Sequence, residues 1–339
     1  MSFVKTNLRK TVLLYSNPLC FGLVLMGKGS GFGKTILFGE HFVVHGVPGI
    51  ASAIVSAADA TVKKAQKGIN VIDTRKGAKG YAEKKQLQQM ESIERMLTAM
   101  DLDPKKVAMD IWLGGNLPGF SGLGASAASS VAIARAIAEE FSLILSDEKI
   151  NDVAYEAEKA YAGNPSGIDN TAATFGGLIW FKKNLSIGSN MIEQLNIRKP
   201  VEIVIGNTGI VANTKAMVAG VTERKEKHPT KYSAIFRQAE NLANEGRKAL
   251  ERFDLHEVGD LMNENHRLLQ EIEVSCKELD HLVDLARKKG AFGAKMTGGG
   301  GGGCMLALTP GKDQQEKVAL AIENEGFEVL RTKIGLRKE

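Results

Sequence analysis

One aspartate, one lysine and three glycine-rich segments are the residues of this chain with the most evident chemistry. In LPGFSGLGASAASS (residues 117–130), a glycine turn runs straight into an alanine-rich stretch. The first backbone N–H groups of a helix have no partner inside it, and the helix dipole favours negative charge at that end. Small residues let an anion approach the backbone, so the segment is a candidate phosphate-binding turn. Its candidate contacts are Pro118, Gly119, Ser121, Gly122, Leu123 and Gly124, then Ala125, Ser126, Ala127 and Ala128 at the helix start. Ser126 and Ser129 can add hydroxyls; the plain alternative is a glycine turn with a serine cap and no ligand. In EKAYAGNPSGIDNTAATFGG (158–177), Pro165 and Gly167 force a turn that presents Ser166 and Asp169. Asp169 with Asn170 fits an Asx-type turn, whereas a carboxylate facing a bound phosphate could orient and deprotonate a hydroxyl.

The other two glycine segments are less direct. GKGSGFGKT (27–35) falls one residue short of a Walker A loop, because Lys28 stands where the first glycine is required. A strand-like run, ILFGEHFVVHG, follows it instead of a helix, so a P-loop nucleotidase is the minority reading. TGGGGGGCML (297–306) satisfies any glycine fingerprint trivially. The strand-like residues after it exclude a dinucleotide turn. Its hydrophobic neighbours favour a tight loop approaching a ligand over a flexible linker.

These residues need elements to hold them. Thr35–Phe38 and Ile50–Val55 read as short strands, and 68–80 as an exposed loop. Apolar spacing predicts a helix over Lys85–Met100, with Leu87, Met90, Ile93, Leu97 and Met100 on its face. Val107–Leu113 reads as a strand and Ser126–Phe141 as a helix. Ser146 or Asp147 caps a further helix to about Tyr161. Gly176–Phe181 and Val201–Gly206 read as strands flanking a polar stretch, Asn184–Lys199. Helices are expected over His228–Phe253, His256–Glu271, Ser275–Lys289 and Asp313–Asn324, and strands over Cys304–Thr309 and Phe327–Thr332. The irregular order favours α+β over a doubly wound sheet. The division expected is an N-terminal extension (1–26), a first domain (27–195) and a second (196–339).

Composition narrows the function classes. The 339 residues are 43% hydrophobic and 24% charged, as in an ordinary globular protein. A net charge of +5, without a basic stripe, suits anionic small molecules and gives no ground for nucleic-acid binding. Three cysteines without CxxC spacing and dispersed histidines argue against disulfide or zinc scaffolds and suit a reducing, cytoplasmic setting. Lys5, Arg9 and Lys10 precede an apolar stretch, Thr11–Met26, broken by Pro18 and Gly22. It lacks a convincing cleavage site and is too short to span a bilayer, so no membrane association is expected. Translation starting at Met26 is the simpler reading.

Taken in order, the motifs resemble those of the GHMP kinases. GKTILFGEHFVVHG (33–46), GNPSGIDNTAATFGG (163–177) and NTGIVANTKAMVAGV (207–221) are similar to segments of the mevalonate kinases within that superfamily. The resemblance implies a two-domain α+β GHMP kinase fold, with a ribosomal-protein-S5-domain-2-like N-terminal part and a ferredoxin-like C-terminal α/β sandwich. The active site would lie in the cleft between them. It implies ATP and Mg2+, and phosphorylation of the 5-hydroxyl of mevalonate in isoprenoid synthesis. Asp169 takes the place of the catalytic aspartate and Lys34 that of the lysine beside it. Ser126 and Glu158 take the magnesium-ligand places, and Glu40, His41, Thr214 and Gly299 fall in the acceptor pocket. Ala125 replaces the usual first serine of the phosphate turn, Phe32 a common proline, Ala162 a common histidine and Gly299 a common alanine. Another GHMP kinase (phosphomevalonate or sugar) or a non-catalytic sensor on the same fold are the alternatives. A homodimer is left open.

Overall fold

The computed structural model describes residues 26–75, 81–119, 122–186, 188–211 and 213–336. The expectations for residues 1–25 and for Ser121 lie outside the described residues.

Strand β1 (Gly27–Phe38) pairs antiparallel with the long β2 (Gly49–Lys64), from Gly27↔Val62 to Phe38↔Ile50. Both are far longer than the expected pieces, and GKGSGFGKT is strand throughout, so the P-loop reading fails. The reason is packing. Gly27, Gly29 and Gly31 alternate along β1, and an added Cβ would sit 2.1, 2.2 and 2.2 Å from the carbonyl oxygens of Ala136, Ala132 and Ala128. Those alanines belong to α2 (Ala125–Glu140). Two strand residues advance about 6.7 Å and four helix residues about 6 Å, so the two stripes of small residues stay nearly in step. The glycines admit a helix backbone, not a phosphate.

Strand β3 (Ile69–Asp73) runs parallel to β4 (Met109–Gly115) inside what reads as a loop; Ile69 and Val71 pack against the second core, but the strand is short and is flanked by the glycines and basic residues that gave the loop reading. Helix α1 (Tyr81–Ala99) follows β3. Leu87 is 85% exposed rather than part of its buried face, which is Ile93, Met96 and Leu97. Helix α3 (Asp147–Ala162) is capped by Ser146, whose side chain accepts from Lys149 N. The turn at Pro165 and Gly167 leads directly into a helix that was not expected, α4 (Ile168–Phe175), with Asp169 in its first turn. Strands β5 (Leu178–Lys182) and β6 (Met191–Leu195) complete a sheet ordered β3-β4-β2-β5-β6, with β1 on β2. β6 is an exposed edge strand with one buried residue, and its apolar residues, Met191, Ile192 and Leu195, do not alternate, hence the poor periodicity of 184–199.

The second sheet, ordered β10-β7-β9-β8, contains β7 (Val201–Asn207), β8 (Gly293–Thr297), β9 (Cys304–Leu308) and β10 (Glu328–Ile334). It is accompanied by α5 (Thr214–Lys227), α6 (Pro229–Arg252), α7 (Leu255–Glu271), α8 (Lys277–Lys288) and α9 (Lys312–Glu323). Helix α5 and strand β8 were not expected. α5 buries only Val221, whereas every residue of the short β8 is buried. One hydrophobic core crosses between the sheets, joining Leu37, Phe38 and Phe42 to Ile203, Ile205 and Leu306. Phe38 fits because Gly246 of α6 has no Cβ, which would lie 2.6 Å from the ring. A second core lies between α1, α2, α3 and β4. Among the described residues, no helix is long and apolar enough to cross a membrane.

Candidate active site

Two helices begin at left-handed glycines without a side-chain cap: α2 at Gly124 (φ 69°) and α4 at Gly167 (φ 95°). In contrast, α3, α5 and α7 are capped by Ser146, Asn213 and Asp254. Uncapped starts leave N–H groups for another acceptor. Asp169 occupies the first turn of α4. The Lys34 ammonium lies 3.1 Å from Asp169 Oδ1 and donates to the carbonyl of Gly122 at 3.3 Å. Lys34 N–H donates to the carbonyl of Leu123 at 2.9 Å, which holds the candidate phosphate turn on β1. Glycine at 124 is required here, since a Cβ would sit 2.8 Å from Lys34 Cγ and block the lysine's path over the helix start. Lys34 is 3% exposed and Asp169 34%, so the carboxylate is the partner that meets solvent.

Ser126, two residues into α2, donates to Glu158 Oε2 of α3 at 3.2 Å, and Glu158 is 5% exposed. A hydroxyl and a carboxylate are hard oxygen donors of the kind magnesium prefers, and two such side chains leave room for phosphate oxygens and water. Ser129 Oγ, one turn on, is already engaged, donating to Ala125 O and accepting from Arg75 Nη1, both at 2.7 Å.

The late glycine loop closes against the phosphate turn. A Cβ on Gly298 would lie 2.6 Å from Gly122 Cα, and one on Gly122 2.9 Å from the carbonyl of Thr297. Three of the four expected acceptor-pocket residues meet here. His41 Nε2–H donates to the carbonyl of Gly299 at 3.0 Å, and a Cβ on Gly299 would stand 2.3 Å from Thr214 Oγ1. Because a carbonyl only accepts, Nε2 carries the ring proton and Nδ1 is an acceptor. That Nδ1 is buried and has no partner among the described residues. Burial lowers the His41 pKa to about 4, so the ring is neutral near pH 7.

Glu40 is engaged inside the protein. Its side chain is wholly buried, with Oε1 ion-paired to Lys295 and Oε2 accepting from Asn265 Nδ2 at 3.3 Å. It directly precedes His41 in the chain. Lys295, Asn265 and Thr297 are the residues that sequence reading missed. The available signal was a lysine inside the small, apolar run AFGAKMT, where only a buried partner accommodates a charge.

Residues 90–177 match the GHMP kinases N terminal domain and residues 247–328 the GHMP kinases C terminal family. A mevalonate kinase of Pyrococcus horikoshii is 36% identical over 332 residues, covering 90% of this chain and 96% of the relative. That of Pyrococcus abyssi is 35% identical over 329 residues, covering 90% and 96%. Among solved structures, L. major mevalonate kinase in complex with R-mevalonate superimposes with a TM-score of 0.83 at 35% identity, covering 91% of this chain and 95% of that one.

Proposed function

The chain belongs to the mevalonate kinases of the GHMP kinase family, and from that membership we propose that it transfers the γ-phosphoryl group of ATP to the 5-hydroxyl of mevalonate, a step of isoprenoid synthesis. The observation that carries this reading is the contact of Lys34 with Asp169 at the uncapped start of α2, 3.1 Å apart. Phosphoryl transfer asks a protein mainly for positioning and charge stabilisation. Asp169 orients the acceptor hydroxyl and takes its proton as the bond to phosphorus forms. Lys34 holds that carboxylate in place and offsets charge developing on the phosphoryl oxygens.

The glycine turn that ends at Gly124 and the first residues of α2 receive the phosphates of ATP, with uncapped backbone N–H groups at the helix start as donors. Mg2+, held by Ser126 and Glu158, would supply neutralisation of phosphate charge. His41, Thr214 and Gly299 wall the acceptor pocket, where the unpartnered Nδ1 of His41 accepts from a substrate hydroxyl. Domains 27–195 and 196–339 would face each other across the cleft, and a cytoplasmic setting suits ATP and a soluble acid.

The test is a coupled ADP-release assay on mevalonate, phosphomevalonate, galactose and homoserine, with and without Mg2+. Magnesium-dependent turnover confined to mevalonate is expected. Turnover on one of the other acceptors with none on mevalonate would refute the reading.

A further inference from the structure

Lys295 and Thr297 lie two apart on β8, so both point to the same face, toward the end of β1 in the other sheet. There β1 slips in register between Ile36 and Phe38, which frees backbone groups from the ladder to β2. Thr297 Oγ1 accepts from Ile36 N–H at 3.0 Å, and Thr35 Oγ1 lies 3.2 Å from it. Lys295 donates to the carbonyls of Ile36 (3.3 Å) and Met296 (2.7 Å) and to Glu40, so its three protons are all used. Glu40 and Lys295 are both fully buried. Burial pushes the carboxyl up and the ammonium down, each against the pull of its partner.

A buried ion pair is a poor device for stability. Desolvating both charges costs as much as their attraction returns, and apolar replacements are often neutral or better. What this pair does uniquely is fix position. His41 follows Glu40 directly and has a left-handed backbone (φ 61°) that a non-glycine residue adopts only under constraint. At the other end, Lys295 precedes Gly298 and Gly299 by three and four residues. Gly298 abuts the phosphate turn, and the carbonyl of Gly299 accepts from His41. One interaction therefore sets both partners of the His41–Gly299 hydrogen bond.

We propose that Lys295 is a positioning residue for the acceptor pocket, acting through its buried pair with Glu40 to hold His41 against the glycine loop. The inference rests on the acceptor pocket assigned above. Lys295 need not touch substrate, and its role differs from that of Lys34, which meets the reacting groups. Because Thr297 still ties the loop to β1 when the pair is lost, the phosphate side should suffer less than the acceptor side.

The experiment compares wild type with Lys295→Met, with Glu40→Gln and with the double variant Glu40→Leu/Lys295→Met, which removes both charges at similar volume. Circular dichroism and thermal melts establish folding; steady-state kinetics give separate KM values for mevalonate and ATP. The expected result is a folded double variant whose KM for mevalonate rises tenfold or more while KM for ATP changes less than threefold. Glu40→Gln, nearly isosteric, should fall in the same direction by a smaller factor. Wild-type KM for mevalonate in the folded double variant would overturn the proposal. So would failure of the double variant to fold, which would make the pair a stability element. An inactive wild type would instead count against the mevalonate assignment, so the two failures are separable.

Discussion

Replacing Gly31 by alanine should damage nucleotide use from a position that touches no substrate. The new Cβ would lie 2.2 Å from the carbonyl oxygen of Ala128 and 3.0 Å from Val131 Cβ, where ordinary contact begins at 3.4 Å. Backbone cannot rotate away as a side chain can, so α2 must retreat from β1 by about 1 Å to reach that contact. Overpacking of this kind costs about 1–3 kcal/mol, which lowers Tm by roughly 5 °C for a domain of this size. The same retreat carries Ser126 and the α2 start away from the phosphates, and a 1 Å misplacement of positioning groups costs about 100-fold in rate. The assay is kcat/KM for ATP at saturating mevalonate, alongside a thermal melt. Gly114→Ala is the control, since a Cβ there meets only Thr74 Oγ1 at 3.8 Å. It should leave both measurements unchanged. A Gly31→Ala protein with wild-type Tm and wild-type kcat/KM for ATP would show that β1 and α2 are not packed as described.

Asp169→Asn should keep the fold and ATP affinity while lowering kcat by about 100- to 10,000-fold, as expected for loss of a general base; wild-type turnover would remove Asp169 from the chemistry. Ser126→Ala should raise the Mg2+ concentration needed for half-maximal rate, and an unchanged metal dependence would withdraw Ser126 as a ligand. Acid should destabilise the fold through His41 and His266, both lowered to about 4 by burial. Their folded pKa lies below the unfolded value, so the stability they contribute is complete above about pH 6.5 and is lost as pH falls toward 4. Urea midpoints measured near pH 7.5 and pH 5 test this; equal midpoints would contradict it.

Much of the molecule was legible before its fold was known, where local chemistry alone decides structure. The alanine run of α2 forms a helix by intrinsic propensity, and Ser146 caps α3 through its own hydroxyl. The motifs around Lys34, Asp169 and Ser126 resemble those of the GHMP kinases, and it was that resemblance, carried by several segments in order, that implied a kinase. What lay beyond local reading was set by contacts distant in sequence. GKGSGFGKT resembles a phosphate loop, yet it becomes a strand because α2, about a hundred residues later, supplies a carbonyl stripe that only glycine accommodates. Edge strands β3 and β6 have only five residues each and bury little, and the glycine-, lysine- and asparagine-rich segments beside them dominate a local reading. The partner of Glu40, Lys295, lies 255 residues away and is invisible to a local reading. The sequence determined which groups the chemistry could use; only the tertiary structure decided which of them stand together, because Lys34 and Asp169, or Glu40 and Lys295, meet only when elements far apart in the chain pack against each other.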